Sequence, residues 1–299
     1  HDILAEGHID AMVRQAIRLG VAPHLAIRLA TLNPAAYFGL PRTGAIAPGP
    51  RADMVVFNRL EDPVVEAVYA DGQRVAEGGR LLETAVFPDP TPPAPAMHVD
   101  PADLDFRVTA AGPRIRVIEI VPGQIATRQG QAATPVADGR AVADPDRDLL
   151  KIAVVERHRG TARTGIGFVQ GMGLRRGAIA SSVAHDAHNI IVVGARDDDM
   201  HAAVRHVVDM QGGLAVVADG KVLASLALPI AGLMSPKPIR SIQEQLTGLT
   251  RAARDLGTSL PDPFMTLSFL ALPVIPELKI TDRGLVDVDR FEPVDLFVR

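Results

Sequence analysis

Five prolines crowd residues 88–95: Pro88, Pro90, Pro92, Pro93 and Pro95. Each proline fixes φ and removes a backbone donor, so neither a helix interior nor a central strand runs through such a stretch. This 299-residue chain must therefore fold as two parts joined by a stiff linker, placed at residues 86–98. Hydrophobic residues make up 47% of the chain, which gives each part the means to build a core and excludes wholesale disorder.

Before the linker the pattern is first helical. Ile9, Met12, Val13, Ala16 and Ile17 share one helix face, Gly20 suits the left-handed residue after it, and Pro23 suits the start of a second helix to about Thr31. Asn33-Pro34 is expected to end that second helix. Two successive helices without a strand cannot bury their own apolar stripes. They call for a partner layer from chain preceding His1, so the sequence reads as a fragment, a processed product or one piece of a split protein. From Gly44 the period changes. Residues 53–57 and 64–69 read as strands, and Asp71-Gly72 is a two-residue hairpin signal leading back through 73–76. Asp53 in this context anchors a turn rather than acting as a catalytic acid.

Residues 99–299 read as a separate α/β domain. Strands are expected at 106–108, 115–121, 151–155, 190–194, 214–218 and 222–226, the last two joined by Asp219-Gly220. Asp197, Asp198 and Asp199 place negative charge at the start of a helix that buries Met200, Ala203, Val204 and Val207. A second helix carries Ile242, Leu246, Leu249 and Ala253. Helices interspersed with hairpins favour a mixed sheet over a purely parallel one.

Composition narrows the function. Cysteine is absent, so any metal here must use His, Asp or Glu. A formal charge of −4 and an aromatic content of 4% with no Trp argue against nucleic acid. The most apolar runs, 223–234 and 264–275, are too short to span a bilayer, and no leader segment is visible. A soluble, cytoplasmic protein is expected.

The densest polar constellation is His185-Asp186-Ala187-His188, two imidazoles and a carboxylate in an expected loop between strands, able to ligate a metal or line a ligand pocket. Its alternative is hydrogen bonding to loop backbone. Glu156, Arg157 and His158 end another apolar strand and either border the same cavity or form ion pairs. The run Gly165-Ile166-Gly167-Phe168-Val169-Gln170-Gly171 lacks the spacing of a dinucleotide or phosphate loop, which leaves backbone flexibility or close packing.

Two groups of runs carry a resemblance. Thr31-Leu32-Asn33-Pro34-Ala35, followed by the glycines and the Ala52-Asp53-Met54-Val55-Val56 re-entry after Gly44, resembles the point where metal-dependent amidohydrolases leave a (β/α)8 barrel and rejoin a β-sandwich. Ala180-Ser181-Ser182-Val183-Ala184-His185-Asp186-Ala187-His188-Asn189, Leu228-Pro229-Ile230-Ala231-Gly232-Leu233-Met234-Ser235 and Leu278-Lys279-Ile280-Thr281-Asp282-Arg283-Gly284-Leu285 resemble the C-terminal domain of bacterial adenine deaminases. The resemblance implies a mixed α/β chain in four segments: the last barrel helices at 1–43, a β-sandwich segment at 44–85, the linker at 86–98 and the C-terminal domain at 99–299. It also implies hydrolysis of adenine to hypoxanthine and ammonia at a binuclear manganese or iron (Mn2+ or Fe2+) centre, with an N-terminal barrel portion and a homo-oligomer as partners. The barrel ligands of that family begin with an H-x-H strand, and no H-x-H occurs here. The metal ligands are thus expected outside this chain, which alone would be inactive. The other reading is a non-catalytic lid or oligomerisation module.

Overall fold

The computed structural model describes residues 2–83, 85 and 94–298. The chain divides into two compact units, His1–Pro90 and Thr91–Arg299. Pro88, Pro90, Pro92 and Pro93 of the expected linker lie outside the described residues.

In the first unit, helices α1 (Asp2–Ala5), α2 (Ile9–Arg18), α3 (Pro23–Leu29) and α4 (Leu32–Tyr37) follow one another. Gly20 takes φ +97° just beyond α2, as a helix end requires. Asn33-Pro34 does not stop the helical run. Pro34 falls in the first turn of α4, where a missing N–H leaves no intrahelical bond unmade. The apolar stripe of α2 is only partly covered: Val13, Ala16 and Ile17 are half-buried, none of the helix is fully buried, and Met12 is 65% exposed. Strands β1 (Met54–Phe57), β2 (Val65–Ala70), β3 (Gln73–Glu77) and β4 (Arg80–Leu81) form an antiparallel meander in sequence order. The β2–β3 turn has positive φ at both Asp71 and Gly72, which the Asp-Gly pair tolerates. Asp53 Oδ1 accepts the Asp71 N–H at 2.8 Å, so this carboxylate pins the turn.

The second unit begins with β5 (Val108–Thr109), β6 (Arg114–Ile120), β7 (Thr127–Ala133), β8 (Val136–Ala137), β9 (Arg140–Ala141), β10 (Leu149–Val155) and β11 (Thr164–Gln170). It continues through β12 (Ala178–Ser181), β13 (Ile190–Gly194), α5 (Asp197–Asp209), β14 (Gly213–Ala218), β15 (Lys221–Ala227), α6 (Ile239–Asp255) and α7 (Pro263–Leu270). A closing meander follows: β16 (Leu278–Thr281), β17 (Gly284–Asp287) and β18 (Glu292–Val294). Among the described residues the main sheet is eight-stranded, ordered β15-β14-β12-β13-β10-β11-β6-β7, with β6–β11 its parallel pair. The strand expected at 106–108 starts later: Phe106 is a buried core residue, and only Val108–Thr109 pairs, with β9.

The sheet is covered on both faces, which explains why β10 and β13 read as unbroken apolar runs. Ala153 and Val155 join the core under α5, with Met200, Val204 and Val207. Ile152 and Val154 point into the opposite core, with Leu249 of α6, Leu267 of α7 and Ile280 and Leu285 of the β16–β17 hairpin. Lys151 interrupts β10 without loss, because its buried Nζ reaches Asp197 Oδ1 at 2.6 Å and Phe106 O at 2.9 Å. It ties the strand to the N-terminus of α5.

Lys279 in β16 is different. It is fully buried, its Nζ donates to Ile125 O at 2.8 Å, and burial pushes its pKa from 10.5 down to about 8. Below pH 8 the group is charged in both folded and unfolded chains, and the folded state bears the desolvation penalty. Between about pH 8 and 10.5 the unfolded chain binds more protons, so stability rises with pH across that window. Urea midpoints measured at pH 7.5 and at pH 10 are expected to show Lys279→Met more stable than the parent at the lower pH. The difference should shrink by on the order of 2 kcal/mol at the higher pH. A difference that is constant with pH would refute the assignment.

Candidate functional site

In the main sheet β10 and β13 are neighbours, with Val155 opposite Ile190. The chain leaving β10 at Glu156 therefore runs beside the chain entering β13 from Asn189. Val155 also faces Thr164 of β11, and the β16–β17 turn crosses that end of β11 close to Gly165. Three loops, far apart in sequence, thus meet at one end of the sheet. They carry Glu156, Arg157 and His158; His185, Asp186, His188 and Asn189; and Asp282.

Arg157 fastens this end together. Its side chain is 1% exposed, and its guanidinium donates to Ala96 O at 2.7 Å, Ala231 O at 2.9 Å and His188 O. The sequence allowed an ion pair here, but the partners are three backbone carbonyls. Burial lowers the pKa of Arg157, with the Glu156 carboxylate acting against that shift. Glu156 is also buried, and burial alone would raise its pKa. Hydrogen bonds from the Thr161 hydroxyl and the His158 and Arg159 N–H groups outweigh burial and hold it below the ordinary carboxylate range. Its acceptors are thereby turned to the 158–161 loop. His158 Nε2 lies 2.7 Å from Ala187 O.

The 185–188 loop is held by its backbone while its side chains stay available. The His185 N–H donates to Ser268 O at 3.3 Å, and the His188 N–H to Ala184 O at 2.6 Å. His188 adopts φ +49°, a left-handed conformation that His tolerates better than most residues. The His185 ring packs on Phe269 at 4.7 Å between centroids and lies 5.9 Å from the His188 ring. His188 Nδ1 is buried without a partner among the described residues. Burial, then the neighbouring His185 and Arg157, push the His188 pKa below its ordinary value, so its neutral form prevails at pH 7.

A cavity of about 160 Å3 opens beside this loop, and His185, Asp186, Asn189, Thr281 and Asp282 are among its lining residues. The structure therefore brings His185 and Asp186 to a common wall and places Arg157 and His158 behind it. Sequence reasoning missed Asn189 and Asp282. Asn189 follows the His-Asp-x-His block directly, so proximity could have flagged it. Asp282 arrives from almost a hundred residues away, and its only local signal is a hairpin turn before Gly284.

Residues 124–292 match the family described as adenine deaminase C-terminal domain. The chain belongs to that family. Residues 3–75 match the amidohydrolase family, one that implies a metal centre. An adenine deaminase of Desulfatibacillum aliphaticivorans is 53% identical over 297 residues, covering 99% of this chain and 52% of the relative. Adenine deaminases of Methylobacterium nodulans and Methanothrix thermoacetophila are 51% and 49% identical, each covering 97% of this chain and 51% of the relative. This adenine deaminase C-terminal family member thus spans about half the length of the curated relatives it matches.

The metal that the amidohydrolase match implies does not fit the residues present. Among the described residues no three His, Asp or Glu side chains converge as an ion cage. His185, Asp186 and His188 stand together in sequence, yet they do not converge in the folded loop. Nor, among the described residues, is any helix long and apolar enough to cross a membrane.

Proposed function

We propose that this chain is the C-terminal part of an adenine deaminase, which hydrolyses adenine to hypoxanthine and ammonia once joined to its barrel portion. The observation that carries the reading is identity near one half to proteins named adenine deaminase, sustained along almost the whole chain. Residues 1–43 then supply the last barrel helices, 44–85 a β-sandwich segment, 86–98 the linker and 99–299 the C-terminal domain. The exposed end of the α2 apolar stripe, Ile9 and Met12, agrees with a helix that packs on further protein. A manganese or iron pair belongs, on this reading, to ligands outside the chain, and no chemical step here runs through it. The assembled protein would be a cytoplasmic homo-oligomer of purine metabolism.

Within that assembly His185, Asp186 and His188 are the groups by which this part reaches substrate. His188, uncharged at neutral pH, can accept or donate a proton at a ring nitrogen, and Asp186 can accept from an amino group. Arg157 and His158 hold the loop that carries them, and Glu156 orders the loop alongside. A second reading, a lid or oligomerisation module without chemical groups, draws on the fact that Glu156 and Arg157 spend their polar atoms on neighbouring loops and carbonyls.

The purified chain, given adenine and Mn2+, is expected to release no ammonia. Robust turnover would refute the placing of the metal ligands elsewhere. Alanine at the positions aligned with His185 and His188 in a full-length relative separates the two readings. A fall in kcat/KM of tenfold or more supports a substrate-facing loop, and unchanged kcat and KM support the lid.

A further inference from the structure

The β16–β18 meander has two unlike faces. Ile280, Leu285 and Val294 stand opposite one another across the three strands and pack on the core. Lys279, Val286 and Pro293 are likewise in register, one residue out of phase, and so share the outer face. Lys279 is covered there by the segment whose Ile125 carbonyl it reaches. Val286 and Pro293 instead open onto a cavity of about 280 Å3, with Val274 and Phe291 among its walls. Phe291 is held at φ +58° in the turn before β18, a left-handed conformation that costs a bulky residue free energy. Its ring is 74% exposed, so burial within the chain does little to offset that cost. Strain of this kind is found at ligand clamps. Arg283 is the one charged residue lining the cavity. Arg163 occupies the neighbouring Asp282, and Arg290 occupies Asp287 and Glu292, so Arg283 has no acidic partner among the described residues.

We propose that this cavity binds a small apolar monocarboxylate, a short hydrocarbon chain ending in one carboxylate group. The hydrocarbon lies on Val286 and Pro293, between Val274 and the Phe291 ring, and the carboxylate meets the Arg283 guanidinium. A planar guanidinium matches the two oxygens of a carboxylate, which gives the complex a direction as well as energy. Covering the Phe291 ring removes from water an apolar surface that the fold leaves exposed. The volume lies just under the roughly 300 to 1,000 Å3 of common small-molecule sites, so it suits a chain of a few carbons rather than a whole lipid. Charge sets the preference. An alkylammonium of the same length meets Arg283 with like charge, and the corresponding alcohol offers no charge at all.

The cavity lies within the second unit, and the 299-residue chain itself can be titrated with sodium octanoate by isothermal titration calorimetry. Octanoate is expected to bind at one site, and 1-octanol and octylammonium at least about tenfold more weakly, the usual scale for a hydrogen bond to a charged group. Arg283→Gln and Phe291→Gly are each expected to weaken octanoate by tenfold or more. Glycine takes a positive φ without strain, so Phe291→Gly should melt no lower than the parent in circular dichroism while it loses the ligand. Retained stability with lost binding is the pairing that a merely structural Phe291 would not give. Absent binding at millimolar octanoate, equal affinities for the three probes, or parental affinity in either variant would each overturn the proposal. A Phe291→Gly protein that melts lower than the parent would overturn it too, by showing that the ring serves the fold. So would a dimer, seen by sedimentation, that Phe291→Gly dissolves, since the patch would then belong to a second copy of the chain. Ammonia release by a full-length relative is untouched by any of these results.

Discussion

Arg157→Met is expected to lower the stability of the second unit by about 3 to 5 kcal/mol, among the largest losses a single substitution in this chain can cause. Methionine fills much of the same volume and removes the desolvated charge, which on its own would help. What it cannot do is donate to Ala96 O, Ala231 O and His188 O, three carbonyls from three separate segments. Each of these carbonyls then sits without its donor near a side chain that is 1% exposed. For a unit of this size, 3 kcal/mol corresponds to a fall in melting temperature of roughly 6 to 12 °C. Urea denaturation of parent and variant, with m unchanged, measures it. A loss below 1 kcal/mol would mean that water or relaxed backbone replaces the guanidinium, and that the 185–188 loop does not depend on Arg157. Arg157→Lys should fail almost as badly, because one ammonium cannot span three acceptors set around a planar fork.

The β10 and β13 strands, α5, α6 and both Asp-Gly hairpins were legible because each rests on a local signal: period, cap or turn pair. Asn33-Pro34 misled because the dipeptide that ends one helix also starts another, and only the following residues decide. The site was half legible. Polar density marked His185, Asp186 and His188, and the end of an apolar strand marked Glu156, Arg157 and His158. That these blocks meet follows from the pairing of β10 with β13, a non-local register that no spacing along the chain encodes. The role of Arg157 was hidden for the same reason, since its acceptors lie 31 to 74 residues away. Asp282 was invisible because a turn aspartate looks the same whether it faces solvent or a cavity.

The glycine-rich run at 165–171 is the clearest case of sequence leaving two explanations open and geometry choosing. It forms β11, a regular strand, so flexibility is not its purpose. A Cβ at Gly165 would stand 2.0 Å from Thr281 O and 2.5 Å from Gly284 N, and one at Gly167 would stand 2.8 Å from a Leu285 methyl. The glycines let the β16–β17 hairpin lie directly on the strand. Gly165→Ala is therefore expected to cost roughly 3 kcal/mol or to prevent folding of the second unit, because backbone on both sides must move and no rotamer can relieve it. Gly248→Ala is the control. It sits inside α6 with open space around the new methyl, and should stabilise by up to about 1 kcal/mol through helix propensity. Opposite signs for one chemical change would show that contact, not glycine's freedom, decides at residue 165. Parental stability of Gly165→Ala would refute the close approach of the β16–β17 hairpin to β11.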